Sequence, residues 1–175
     1  MSKPEASILL VEDETILQFV FEKQLDVLGY KVARIVDDGL AAVEAVLCQQ
    51  YDLVFMDVRL PELDGMSATQ RIRAGENGAG KHTKIIGMTA FAERRRCLDS
   101  GMDDFLQKPV LLEQLSEVIE KWLNLGNEAV NPDVLAERAE VSLEYFQKAA
   151  TQLDAMQARI MKLRKRVGLD LPLKE

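Results

Sequence analysis

Five short apolar runs, each followed by a stretch long enough for a helix, recur along the first 125 residues and constrain the fold more than any other feature. The first, ASILLV at 6–11, is continuously apolar, as strands buried on both faces of a parallel sheet are. Thr15 to Leu28 then sets Ile16, Phe19, Val20, Lys23 and Val27 at helical spacing, and Gly29 is a natural stop. Strands are expected at Tyr30 to Val36, Asp52 to Met56, Lys84 to Met88 and Asp104 to Gln107. The helices after them are expected at Leu40 to Gln49, Met66 to Ala74, Phe91 to Ser100 and Leu111 to Leu123. Strands joined by helix-length connections must lie parallel with right-handed crossovers. The expected fold is therefore a doubly wound α/β domain with a five-stranded parallel sheet.

The chain's 175 residues suffice for one such domain and a smaller appendage. Residues 1–125 carry 21 acids and 14 bases, whereas residues 126–175 carry 8 of each, so the net charge of −7 belongs to the first part. Such an acidic domain lacks the basic face that displaces counterions from nucleic acid, and no direct DNA binding is expected. Cys48 and Cys97 fall in expected helices without metal-ligand spacing. The opening apolar stretch is too short for a signal peptide, and no run approaches the ~20 apolar residues of a membrane span. A cytoplasmic location follows as the expectation.

In doubly wound sheets ligands collect outside the carboxyl ends of the strands. There this sequence places Glu12-Asp13 after the first strand, Asp57 after the third, Thr89 after the fourth and Lys108-Pro109 after the fifth. Three carboxylates gathered at one edge would repel one another, and each would tend to keep its proton. A hard divalent cation removes that conflict, and carboxylates with a backbone carbonyl and water suit octahedral Mg²⁺. An acid, a hydroxyl and a lysine around that metal make a phosphoryl-transfer site.

Glu12-Asp13, Asp57, Thr89-Ala90 and Lys108-Pro109, in that order and spacing over residues 5–125, closely resemble the receiver domain of two-component response regulators, a flavodoxin-like fold. The resemblance implies that Asp57 is the phosphoacceptor, fixed by an apolar wall with its carboxylate toward solvent. Glu12 and Asp13 would hold Mg²⁺, directly or through water, with Asp57 and the backbone carbonyl of Arg59. Lys108 would pair with the phosphoryl group, Thr89 would donate a hydrogen bond to it, and a cis peptide before Pro109 would turn Lys108 inward. Phe105 stands where the family carries an aromatic switch, often Tyr; a core aromatic of an edge strand is the alternative. Arg59 and Phe91 would flank the path of attacking water and slow hydrolysis. The implied partner is a sensor histidine kinase or a histidine phosphotransfer protein, and the implied role is a phosphorylation-dependent switch, not an enzyme. A constitutive adaptor or phosphate sink is the competing reading.

Other features are set aside. GENGAGKHT at 75–83 imitates a phosphate-binding P-loop, but His82 replaces the required Ser or Thr, and the loop follows a helix and precedes a strand. His82, the only histidine, is expected to be solvated, and its position leaves the tail without a histidine to phosphorylate. Asp64-Gly65 is a turn and helix-entry signal. Arg94-Arg95-Arg96 is either a solvated face or a partner-binding surface.

The domain boundaries expected are a receiver at 1–125, a linker at 126–132, a long amphipathic helix at 133–168 and a tail at 169–175. Asn131 would cap the helix with Pro132 in its first turn. Leu135, Ala139, Ser142, Phe146, Ala149, Leu153, Met156, Ile160, Leu163 and Val167 alternate as d and a of a heptad. That seam needs a cover: a two-chain coiled coil giving a homodimer, the receiver itself, or a partner's helix. The basic end Lys162 to Arg166 suits a helix C-terminus.

Overall fold

A computed structural model describes residues 6–76, 82–90 and 93–123. The linker, the helix expected at 133–168, its proposed homodimer seam and the final tail lie outside the described residues, as does Phe91. The strands are β1 (Ile8–Val11), β2 (Val32–Val36), β3 (Leu53–Asp57), β4 (Ile85–Thr89) and β5 (Asp104–Gln107). The helices are α1 (Thr15–Leu28), α2 (Gly39–Cys48), α3 (Gly65–Glu76), α4 (Arg94–Asp99) and α5 (Leu112–Trp122). All strands pair in parallel in the order β2-β1-β3-β4-β5. The chain therefore winds outward from β1 in both directions, and the sheet's crevice opens between β1 and β3.

The central strands are apolar on both sides because helices cover both faces. Ile8 to Val11, Leu53 to Met56 and Ile85, Ile86 and Met88 are essentially unexposed. Each such side chain contributes about 1.5–3 kcal/mol by leaving water. Phe21 of α1 meets Phe55 edge to face at 4.8 Å, which registers the helix on β3. The face that α1 buries is Phe21, Gln24, Leu25 and Leu28, rotated by roughly 100° about the helix axis from the stripe expected in the sequence. Ile16 and Phe19 are exposed. This helix is apolar on more than one side, so periodicity alone does not choose the buried one.

Local signals set the helix ends. Gly29 adopts φ 83° to end α1, a conformation costly for any residue with a Cβ. Asp38 caps α2 through the Ala41 amide at 2.7 Å. Asp64 caps α3 through the Met66 and Ser67 amides, both at 3.0 Å. Gly65, the first residue of α3, donates its amide to Val58 O at 3.0 Å, pressing the helix start against the end of β3.

The amino end of the sheet is closed by an ionic network. Arg73 of α3 donates to Glu76 Oε2 at 2.6 Å, to Asp103 Oδ2 at 2.9 Å and to Gly101 O at 2.8 Å. Glu76 also accepts from the Thr83 amide at 2.8 Å, and Asp103 from the Ile85 amide at 2.8 Å. His82 is exposed, as the sequence leads one to expect, but it joins this network, its Nε2 2.5 Å from Asp103 Oδ1. The P-loop imitation does connect a helix to a strand, since α3 ends at Glu76 and β4 starts at Ile85.

Burial pushes the Glu76 carboxyl up, but hydrogen bonds from Thr83 and Arg73 outweigh it and hold it below its ordinary 4.5. The folded chain therefore gives up this proton more readily than the unfolded chain. The stability gained is complete above about pH 4.5 and is lost as pH falls through the lower folded value. Thermal unfolding of the wild type and of Glu76→Gln should differ most near neutrality. The gap should close as pH falls below 4.5 and through the lower folded value.

Candidate functional site

Strand register assembles the site. Val11 pairs with Met56, so Glu12 and Asp57 follow side by side at the crevice. Asp57 pairs with Met88, Thr89 pairs with Gln107, and the Lys108 amide donates to Thr89 O at 2.8 Å. Four strand ends thus deliver five polar side chains to one edge.

Lys108 is the hub. Its Nζ lies 2.5 Å from Glu12 Oε2 and 2.5 Å from Asp57 Oδ2. Glu12 is 2% and Asp57 6% exposed, whereas Asp13 is exposed. The sequence reading turned Asp57 toward solvent; in the structure Lys108 and Glu12 cover it instead. Two carboxylates this buried require a cation; the lysine pairs with both, but its one positive charge balances only one of the two negative ones. Burial pushes Glu12 up, and it stays raised although the ammonium of Lys108 pulls it down. Burial pushes Lys108 down, but the hydrogen bonds to Asp57 and Glu12 prevail and raise it, keeping the ammonium charged.

The remaining contacts fix orientation. The Arg59 amide donates to Asp57 Oδ1 at 3.0 Å, and the Arg59 side chain is exposed. Gln18 of α1 donates to Glu12 O at 2.6 Å. Gln24 donates to Val110 O at 2.7 Å, clamping the segment just after Lys108-Pro109, whose peptide bond is cis. Thr89 is buried, and its hydroxyl donates to Glu93 Oε2 at 3.3 Å. Phe105 is half-buried against the core, and the Arg94 guanidinium lies 5.4 Å from its ring centroid. The sequence reading missed Gln18, Gln24 and Glu93. No motif marks them, since each acts through a contact that only the packed helices create.

The three arginines of α4 separate in role. Arg95 is almost wholly exposed, Arg96 pairs with Glu93, and Arg94 covers Phe105.

Glu12, Asp13 and Asp57 each offer a carboxylate oxygen, all within 4.8 Å of one another. Hard oxygen donors at this spacing, two on buried residues and one on the exposed Asp13, fit a small cation such as Mg²⁺ and not a soft metal. Residues 8–120 match the response regulator receiver domain. The chain belongs to that family.

As receiver domains are, this chain is built as a phosphoacceptor module of two-component phosphorelays. It is 37% identical over 148 residues to the sensor histidine kinase GacS of Pseudomonas protegens; the match spans 82% of this chain and 16% of that kinase. It is 44% identical to the receiver domain of sensor histidine kinase PA1611 from Pseudomonas aeruginosa, solved with a magnesium ion coordinated in its active site cleft. That likeness covers 68% of this chain and 98% of the other, with a TM-score of 0.61. The receiver domain of the Saccharomyces cerevisiae response regulator Ssk1, solved with the phosphotransfer protein Ypd1, is 30% identical with a TM-score of 0.62 over 72% of this chain and 95% of that one. No helix among the described residues is long and apolar enough to cross a membrane.

Proposed function

We propose that this receiver domain is a phosphorylation-dependent signalling switch in which Asp57 accepts a phosphoryl group from the phosphohistidine of a sensor histidine kinase or phosphotransfer protein. The observation that carries this reading is the convergence of Glu12, Asp13, Asp57, Thr89 and Lys108 on one strand edge, with Lys108 bridging the two buried acids.

In this reading a carboxylate oxygen of Asp57 forms a bond to phosphorus as the phosphorus–nitrogen bond of the donor imidazole breaks, and the leaving nitrogen takes up a proton. Asp57 is paired with Lys108 and aimed by the Arg59 amide. Transfer adds negative charge where Asp57 stood, and the three donors of the Lys108 ammonium let it hold Glu12 and a phosphoryl oxygen together. Thr89, on the neighbouring strand end, supplies a hydroxyl that reports the new group. Mg²⁺, held by Glu12, Asp13, Asp57 and the Arg59 carbonyl, would neutralise charge on the transferring oxygens. Apart from this transfer the domain performs no turnover on a substrate of its own, and its output is a shift between two conformations driven by contacts only the phosphoryl group makes.

Titration calorimetry with Mg²⁺ tests the reading. The wild type should bind, and Asp13→Asn, which alters an exposed member of the set, should weaken binding roughly tenfold. A wild type that takes up no Mg²⁺ removes the reading.

A further inference from the structure

Glu93 lies four residues after Thr89, immediately before α4, and no expectation attached to it. Its carboxylate has two engagements. Oε2 accepts the Thr89 hydroxyl at 3.3 Å, and Oε1 accepts from Arg96 Nη1 at 2.5 Å. The next residue, Arg94, covers the ring of Phe105 on β5. The start of α4 is therefore in contact with both side chains that the switch reading makes mobile, the hydroxyl on β4 and the aromatic on β5.

We propose that Glu93 is a positioning residue: it holds the Thr89 hydroxyl away from Asp57 and so sets the cost of binding a phosphoryl group there. The proposal rests on the reading of Asp57 as phosphoacceptor. A threonine hydroxyl has one proton to donate. Donation to Glu93 and donation to a phosphoryl oxygen are thus mutually exclusive. The backbone of Thr89 has little freedom to serve both, because β4 lies between β3 and β5 and Thr89 O accepts from the Lys108 amide. The choice falls to the side-chain torsion, which has discrete staggered wells.

Arg96 makes the competitor effective. It holds the Glu93 side chain in place beside Thr89, and the charge of the carboxylate strengthens the bond it accepts. Once Thr89 turns to a phosphoryl oxygen, Glu93 keeps Arg96 and loses its tie to β4. The segment that carries Arg94 over Phe105 then has one anchor fewer. Arrival of the phosphoryl group is in this way converted into a loosening of the start of α4, in the direction of the Phe105 contact. A distance of 3.3 Å is long for a hydroxyl–oxygen bond, so the barrier Glu93 imposes is modest.

Beryllofluoride with Mg²⁺, a mimic of the phosphoryl group, gives the test on the full chain. Glu93→Ala should bind it about three- to fivefold more tightly than the wild type, the equivalent of one net hydrogen bond no longer broken. Glu93→Gln, whose amide oxygen still accepts but without charge, should fall between the two and guards against a misfolded alanine variant. In a Thr89→Val background the removal of Glu93 should change nothing. Equal or weaker binding by Glu93→Ala overturns the proposal. So does a tightening of the same size with and without the Thr89 hydroxyl, which would mark simple charge removal. A wild type that binds no beryllofluoride is a distinct result: it overturns the phosphoacceptor reading and this proposal with it.

Discussion

The Asp57→Asn chain is expected to take up no phosphoryl group from a small donor such as acetyl phosphate, while unfolding within a few degrees of the wild type. Both halves follow from the contacts. Asn keeps the oxygen that accepts the Arg59 amide, so the local backbone has its partner. An amide, however, has no ionised oxygen to form an acyl phosphate. Removing one partner of a buried ion pair usually costs several kcal/mol because the other charge is left alone. Here Lys108 retains Glu12 at 2.5 Å, so its ammonium stays compensated and the cost should be on the order of 1 kcal/mol. Phosphate incorporation measured beside thermal unfolding checks the pair of outcomes. Undiminished labelling would move the acceptor away from Asp57.

The largest effect on stability is expected at a glycine that makes no chemical contribution. A Cβ at Gly65 would stand 2.0 Å from the carbonyl oxygen of Asp57 and 2.9 Å from its carbonyl carbon. These are backbone atoms of β3, and the adjacent Val58 amide is held by Met88 O at 2.9 Å. Neither side yields cheaply. Gly65→Ala should force the start of α3 off the strand, costing about 3 kcal/mol and lowering Tm by on the order of 10 °C. Because the displaced strand end carries Asp57, Mg²⁺ binding should weaken as well. Gly75→Ala, later in the same helix, is the control. Its Cβ would meet only the end of the Leu47 side chain at 2.7 Å, which can turn away. Its Tm should stay within a few degrees of the wild type.

The two predictions also mark what a one-dimensional reading reaches. The alternation of apolar runs with helix-length segments was enough to place five parallel strands, because a strand buried on both faces has no choice but to be continuously apolar. Once the strands are parallel their carboxyl ends lie together, and Glu12, Asp13, Asp57, Thr89 and Lys108 become neighbours without further information. What escaped the sequence depends on orientation. The stripe read along α1 as Ile16, Phe19, Val20, Lys23 and Val27 is largely turned from the core, which receives Phe21, Leu25 and Leu28. Asp57 was expected to face solvent and is covered, because the reach of Lys108 across to Glu12 is a property of the folded edge. The bond between Thr89 and Glu93 is a contact of the folded edge, and nothing in the spacing of four residues encodes it.

The most direct test is mass spectrometric mapping of the full chain after incubation with acetyl phosphate and Mg²⁺. A single phosphoryl adduct is expected on the peptide containing Asp57, and it should vanish when a chelator removes the metal. No adduct, or an adduct on any other residue, would contradict the claim that this strand edge is a phosphoacceptor site.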